Sequence, residues 1–150
     1  MIKRTNTKLV RAVATYFTDL GLIRASGGAT EEESNYVPLA NLLNAVGSTL
    51  KPKVFCVNEL ADQGAGHPDF GLYVTKQLKK GLPRYGQIPE HGVVEVKPPN
   101  DDAWLITTSD QVSRYWNRYR LVLVTNLRDF VLVGEDNLGQ PVKLESFQLA

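Results

Sequence analysis

The sequence predicts an α/β protein with a central mixed β-sheet flanked by helices. Two helical patterns come first in the 150-residue chain, and three short apolar runs typical of strands follow them. A third helical pattern and two further apolar runs complete the order ααβββαββ, with one more strand candidate at the end. Helices and strands in this mixture indicate one sheet with helices packed on its faces.

The first helix is predicted over residues 6–20, where five apolar side chains recur at helical spacing: Leu9, Val13, Tyr16, Phe17 and Leu20. Gly21 follows as the expected stop. The second helix lies within residues 31–47 and is expected to end at Gly47. Pro38 either breaks this helix or belongs to its first turn, because a helix interior does not tolerate proline.

The first three strands are predicted over residues 53–57, 70–75 and 92–96, each an apolar run rich in β-branched or aromatic residues. The connection between the second and third strands, residues 76–91, is polar and contains several Gly and Pro residues. It is long for a connection inside a compact domain, which favours a functional or irregular loop.

The third helix is predicted over residues 108–119, where polar residues are available to cap its start. Residues 121–125 and 130–134 are two strands around a short turn, the pattern of a β-hairpin. Residues 142–149 are the candidate for the final strand. No internal repeat or low-complexity segment interrupts this order.

The composition predicts a single globular domain over residues 1–150, with 43% apolar and 22% charged residues. Seventeen basic and 16 acidic residues give a net charge of +1, so any binding of phosphates must come from local patches. The lone cysteine, Cys56, excludes an internal disulfide, argues against a Cys-rich zinc site, and is expected to be a buried, inert thiol. Without a leader-like or membrane-spanning apolar run, a cytoplasmic location is expected.

Charged residues at two of the strand candidates are the strongest indication of chemistry. Glu95 and Lys97 are two positions apart, so their side chains point to one face of the strand. Asp69 lies at the start of the preceding strand, and pairing of these strands would bring two carboxylates within reach of one Mg²⁺ ion. Lys97 could then orient a water or stabilise charge on a phosphate. Taken alone, a Glu-x-Lys pair is also common as a solvent-exposed ion pair.

These residues carry a resemblance to a known family. "HPDF" (67–70) followed by "VVEVK" (93–97) resembles the PD-(D/E)XK nuclease superfamily, whose signature is an Asp and then Glu-x-Lys on the next core strand. "SDQVSRYWNRY" resembles the Gln-containing helix that follows, which aligns Gln111 and Tyr115. "TEEESNYVPLANLL" resembles the acidic motif of the first helix, with Glu33 aligned and two adjacent glutamates as alternatives. "LVLVTNLRDFVLV" resembles a segment of the amino-terminal nuclease part of large restriction–modification proteins.

The resemblance implies a restriction-endonuclease-like core and metal-dependent hydrolysis of DNA phosphodiester bonds, with Mg²⁺ as the cofactor and Mn²⁺ as a substitute. The residues implied to be catalytic are Asp69, Glu95, Lys97, Glu33 and Gln111. Asp69 and Glu95 would hold the metal together with the backbone carbonyl of Val96, and Lys97 would act near the attacking water. Glu33 would act through the waters of the metal, and the glutamine would orient the site.

Basic residues in two stretches are predicted to contact DNA, and a tyrosine beside them to pack against sugars or bases: Lys76, Lys79, Lys80, Arg84, Arg114, Tyr115 and Arg118. The alternative is a charged helix face whose aromatic residues turn to the core, and Trp116 and Tyr119 fit that pattern. No base-reading module is recognisable. Besides DNA, the expected partner is therefore a methyltransferase or specificity domain, on the same or another chain.

Two other functions stay open on the sequence. A non-catalytic DNA- or protein-binding module with a nuclease-like sheet predicts DNA binding that a chelator does not change, and no cleavage. A junction-resolving nuclease shares the chemistry but predicts a preference for branched DNA. The intact Glu-x-Lys favours catalysis, and the Thr-Asn hairpin favours a nuclease domain that belongs to a longer restriction–modification polypeptide.

Overall fold

A computed structural model describes residues 2–25, 35–58 and 65–149, with side chains described from Thr7 onward. Contacts within the chain divide it into two compact units, Met1–Cys56 and Val57–Ala150. Among the described helices, none has an apolar stretch long enough to cross a membrane.

The first unit contains two helices that pack against each other, α1 (Ile2–Ala25) and α2 (Tyr36–Gly47). Helix α1 buries Tyr16 and Leu20. The prediction that Gly21 ends this helix is wrong, because α1 continues for four residues beyond it. A glycine on an exposed helix face costs only about 1 kcal/mol relative to alanine, and the two helix-compatible apolar residues that follow sustain the pattern.

Helix α2 ends at Gly47 as predicted, and Pro38 lies in its first turn rather than breaking it. An ideal Cβ on Gly47 would lie 2.0 Å from the carbonyl oxygen of Val54, so the close approach of the next strand requires glycine here. The backbone N–H of Cys56 donates to Asn44 Oδ1 at 2.8 Å, which fastens that strand to α2. Burial raises the pKa of the Cys56 thiol to about 12, so this cysteine stays protonated and unreactive at neutral pH.

The described residues form eight strands: β1 (Val54–Asn58), β2 (Phe70–Val74), β3 (Leu78–Lys79), β4 (Leu82–Pro83), β5 (Val93–Val96), β6 (Val122–Thr125), β7 (Asp129–Glu135) and β8 (Pro141–Gln148). Six of them make a sheet in the order β1-β2-β5-β6-β7-β8. Strands β5 and β6 are parallel, whereas the β2–β5, β6–β7 and β7–β8 pairs are antiparallel. The sheet is mixed, and the predicted hairpin of β6 and β7 is confirmed.

Two helices, α3 (Ala103–Ile106) and α4 (Asp110–Tyr119), connect β5 to β6, since parallel neighbours need a crossover. Ser109 caps α4 by accepting a hydrogen bond from the N–H of Val112 at 3.2 Å. Helix α4 packs on β5 and β6, and α3 on β6 and β7. The predicted fold class, α/β with a central mixed sheet flanked by helices, is confirmed. Helix α3 is too short to show a helical period, and for that reason the sequence did not predict it.

Residues 75–90, which we call the arm, connect β2 to β5. The predicted irregular loop contains a 3₁₀ turn, Thr75–Gln77, and the small β3–β4 hairpin. Gln77 is buried at the base of the arm. Its Oε1 accepts from the N–H groups of Val74 at 3.2 Å and Glu90 at 3.1 Å, and its Nε2 donates to the carbonyl of Ile88 at 2.6 Å. One side chain thus ties both stems of the arm together.

Replacing Gln77 with Ala should lower the free energy of unfolding by about 1–3 kcal/mol, because buried backbone groups at both stems lose their partners. Urea titration followed by circular dichroism measures the change. Gln140→Ala is the matched control, since that side chain is exposed, and should change stability by less than about 0.5 kcal/mol. Equal stability of the two variants would show that the glutamine does not hold the arm.

Candidate active site

The antiparallel pairing of β2 and β5 sets Asp69 level with Glu95. Phe70 pairs with Val94 and Gly71 with Val93, so the next step of the same register faces Asp69 with Glu95. Residues opposite each other in an antiparallel pair present their side chains to the same face. The Oδ2 atom of Asp69 accepts a hydrogen bond from the backbone N–H of Val96 at 2.7 Å, which joins the start of β2 to the end of β5.

Glu95 and Lys97 meet on that face, as their spacing predicts. The Oε1 atom of Glu95 lies 3.0 Å from Lys97 Nζ, and the two side chains are 5% and 21% exposed. The other oxygen of this carboxylate, Oε2, is buried. A buried carboxylate needs a cation to stay ionised, and the ammonium supplies one from the same strand.

Helix α4 supplies the third side of the cluster. Lys97 Nζ donates to Gln111 Oε1 at 2.9 Å, and Gln111 Nε2 donates to the hydroxyl oxygen of Tyr115 at 3.2 Å. Gln111 and Tyr115 are four residues apart and therefore lie on one face of the helix. The ammonium is held between a strand carboxylate and a helix amide, which fixes its position.

The pKa of Tyr115 reports on the same cluster. This pKa is raised to about 12, chiefly by burial, then by the negative charge of Glu95 and to a smaller extent by that of Asp69. The hydrogen bond from Gln111 and the charge of Arg114 act in the lowering direction. Both carboxylates thus act on one phenol, which stays a neutral hydroxyl at physiological pH.

Stability should therefore fall as the pH rises from 10 through 12. Below pH 10 the phenol of Tyr115 is protonated in both the folded and the unfolded chain, whereas above it the unfolded chain ionises first. One such tyrosine contributes a slope of at most about 1.4 kcal/mol per pH unit. Denaturant titrations from pH 8 to 11.5 measure it. Tyr115→Phe should flatten the slope, whereas Tyr85→Phe, which changes an exposed ring, should leave it as in the wild type.

Two other predicted site residues, Glu33 and Tyr115, are not confirmed in their predicted roles. Glu33 and its two neighbouring glutamates lie outside the described residues. Tyr115 is 1% exposed, a placement that does not fit its predicted role as a DNA contact. Its hydroxyl instead positions Gln111. Trp116 and Tyr119 are buried, as their spacing indicated.

The predicted DNA-binding residues fall into two groups. Arg114 and Arg118 are exposed on α4 and follow Gln111 at spacings of three and seven, so all three lie on one stripe of the helix beside the site. The exposed basic residues of the arm lie at the other end of the strands, because the arm follows the end of β2 and precedes the start of β5: Lys76, Lys79, Lys80 and Arg84. From Gly92 to Glu95 the strand rises about 10 Å.

Asn126 follows β6 and has a structural role that the sequence does not predict. It is 4% exposed, and its Nδ2 donates to the carbonyl of Asp101 at 2.8 Å, in the loop that follows Lys97. Its Oδ1 accepts from the N–H of Asp129 at 2.7 Å, which closes the β6–β7 turn. An Asn just before a hairpin turn is the signal that could have identified it, since Asn side chains bond backbone groups two or three residues on.

The oxygen donors of the cluster fit Mg²⁺. This ion prefers one or two carboxylates and completes its shell with waters and substrate oxygens. Asp69 and Glu95 supply the two carboxylates, and the carbonyl of Val96 is the third candidate donor. Within the described ranges no three His, Cys, Asp or Glu side chains group around a common point. A site for zinc, which favours several nitrogen and sulfur ligands, is not supported there.

No protein-family model matches the chain, and no curated protein does. Among solved structures, the chain is similar to one in the cryo-EM structure of a DrdV–DNA complex, with a TM-score of 0.65 and 17% sequence identity. The likeness covers 92% of this chain and 85% of that one. At this identity it establishes the fold alone, which is consistent with a restriction-endonuclease-like core.

Proposed function

We propose that this protein is a Mg²⁺-dependent DNA endonuclease that hydrolyses phosphodiester bonds in the restriction of foreign DNA. The observation that carries the proposal is the convergence of Asp69, Glu95 and Lys97 at one end of the paired strands β2 and β5. Two carboxylates and a lysine from two adjoining strands are the set that the PD-(D/E)XK resemblance requires. Asp69 alone would fit an ordinary turn residue, and Glu95 with Lys97 alone would fit an ordinary ion pair.

Asp69 and Glu95 would hold Mg²⁺, with Val96 contributing its carbonyl, and Mn²⁺ would substitute. When bound, the ion polarises a phosphate oxygen and lowers the pKa of a coordinated water. Lys97 lies beside the carboxylate of Glu95, where its positive charge stabilises the negative charge that develops on the phosphate during attack. Gln111 acts as a positioning residue, because its carbonyl oxygen fixes the ammonium.

DNA is the proposed substrate for two reasons. The structural neighbour was solved as a complex with DNA, and a nuclease-like fold supports the same class of ligand here. Arg114 and Arg118 also flank the site on α4, where they can neutralise phosphates. Restriction is the proposed context because the β6–β7 segment resembles the nuclease part of restriction–modification proteins. A methyltransferase or specificity domain is the proposed partner.

The direct test is incubation of the purified chain with linear, supercoiled and branched DNA in Mg²⁺, Mn²⁺ or EDTA. We expect cleavage of linear or supercoiled duplex in either metal and none in EDTA. Cleavage confined to branched DNA would indicate a junction-resolving nuclease and not a restriction nuclease. DNA binding that persists in EDTA, with no cleavage in any metal, would instead establish a non-catalytic module.

A further inference from the structure

We infer that the arm is a second contact for duplex DNA, joined to the candidate site by a basic track along α4. This inference rests on the proposed function, since the track begins at the site. It concerns a surface that the cluster of Asp69, Glu95 and Lys97 does not include. The track consists of Arg114 and Arg118, followed by three exposed basic residues of the arm: Lys79, Lys80 and Arg84.

The tip of the arm has a defined shape. Lys79 pairs with Leu82, which leaves Lys80 and Gly81 as the two-residue turn of the hairpin. Both have positive φ, 53° and 79°, the conformation of a type I′ turn. With Gln77 tying the stems below, the arm projects from the sheet as a braced hairpin rather than as a slack loop.

The charge of the arm suits a polyanion. Between residues 75 and 90 the chain has four basic residues and one acidic residue, Glu90, an excess of three positive charges. Glu90 lies 3.7 Å from Lys76, so the excess falls on the other three basic side chains. Cations clustered on a projecting hairpin, away from compensating acids of their own segment, match the phosphates of a nucleic acid backbone.

Exposed apolar side chains lie beside these cations. Leu82 is 67% exposed between Lys80 and Arg84, and Tyr85, which follows Arg84, has an exposed fraction of 105%. Apolar groups next to cations can pack against sugars or enter a groove while the cations bind phosphates. Positive charge and apolar side chains on one hairpin therefore favour DNA as the partner.

Helix α4 connects the two contacts. Its first turn is at the site, because Gln111 binds Lys97, and its last turn is at the arm end of the sheet. There the carbonyl of Leu121, just beyond α4, accepts the N–H of Val93 at 3.0 Å, next to the base of the arm. From Gln111 to Arg118 the helix rises about 10 Å, so the second arginine lies between the site and the arm. A duplex leaving the site along α4 therefore reaches the arm.

The test compares two triple variants that remove the same charge. The arm variant is Lys79→Ala/Lys80→Ala/Arg84→Ala, and the control is Arg11→Ala/Arg24→Ala/Lys53→Ala, which changes exposed residues of the first unit. Both are made in a Glu95→Gln background so that the DNA stays intact. Fluorescence anisotropy measures the affinity for a duplex of about 24 base pairs over a salt series.

On this duplex, the arm variant should bind about ten- to 100-fold more weakly than the control, with a salt slope shallower by about 2–3. Tyr85→Ala should weaken binding by about fivefold or more without changing the slope, because an apolar ring leaves the interface. Arm and control variants that bind alike would overturn the inference.

The outcomes separate this inference from the proposed function. Arm-dependent binding by a wild-type chain that cuts nothing in any metal would support the track and refute the nuclease. Metal-dependent cleavage with arm-independent binding would support the nuclease and refute the track. A wild-type chain that binds no DNA would refute both.

Discussion

Replacing Glu95 with Gln will reduce metal-dependent cleavage of DNA by on the order of 10²–10³-fold or more, the loss expected when one preorganised charge is removed from a reaction centre. Gln has nearly the shape of Glu and can still accept a hydrogen bond from Lys97. It lacks the negative charge that a divalent cation needs, and it removes the charged partner that lies 3.0 Å from the ammonium. The substitution therefore changes the charge of the site more than its packing.

Cleavage of a labelled duplex in Mg²⁺, followed over time, measures this loss. Asp69→Asn and Lys97→Met should show losses of similar size, because the proposed mechanism places all three residues at one reaction centre. Glu145→Gln, on an exposed position of β8, is the matched control and should cut like the wild type. Thermal unfolding of each variant checks that the fold persists. Full cleavage by folded Glu95→Gln would remove this residue from the mechanism.

Replacing Trp116 with Ala will destabilise the fold by about 3–5 kcal/mol, the range for removing a large aromatic side chain from a packed core. Trp116 is 6% exposed in the layer between α4 and the sheet. Its indole N–H donates to the carbonyl of Gly134 at 2.7 Å, so truncation also leaves a buried acceptor unpaired. The loss would loosen the helix that carries Gln111.

Trp104→Ala is the matched control, because the chain has two tryptophans and this one is 45% exposed. Its ring packs under Lys143 Nζ, 4.6 Å from the ring centre, a surface contact worth about 0.5–1 kcal/mol. The free energies of unfolding of the two variants, measured by guanidinium titration, should differ by at least about 2 kcal/mol. A smaller difference would mean that α4 is not anchored through the buried indole.

The helices and strands were largely predictable because their patterns are local. The spacing of apolar residues identified α1, α2 and α4, and Ser109 was among the polar residues available to cap α4. Tertiary context decided what the patterns could not. Gly21 stayed helical because its cost is small, and α3 is shorter than one helical period. The arm's hairpin depends on Lys80 at positive φ, which sequence propensity does not favour for lysine.

The site was predictable in part. The two-residue spacing of Glu95 and Lys97 placed both on one face, and the four-residue spacing of Gln111 and Tyr115 did the same on the helix. Asp69 is 26 positions from Glu95 in sequence, and only the β2–β5 register brings them level. The sequence does not distinguish a buried tyrosine from an exposed one, and for this reason it predicts a DNA contact at Tyr115, which the structure buries.

The separation of the arm from the site followed from chain order. A connection between two antiparallel neighbours returns at the end where the first strand finishes. Since Asp69 directly precedes β2, residues 75–90, which follow this strand, lie at its far end. Lys79 and Arg114, both predicted to contact DNA, therefore lie toward opposite ends of these strands.

We propose that Asp69 and Glu95 form one cation site at the end of the paired strands β2 and β5, and anomalous scattering from a crystal soaked in Mn²⁺ would locate the ion. We expect one ion bound by both carboxylates and by the carbonyl of Val96, at distances close to the roughly 2.1 Å typical of such ligands. An ion bound elsewhere, with both carboxylates turned away from it, would show that these residues do not form a cation site.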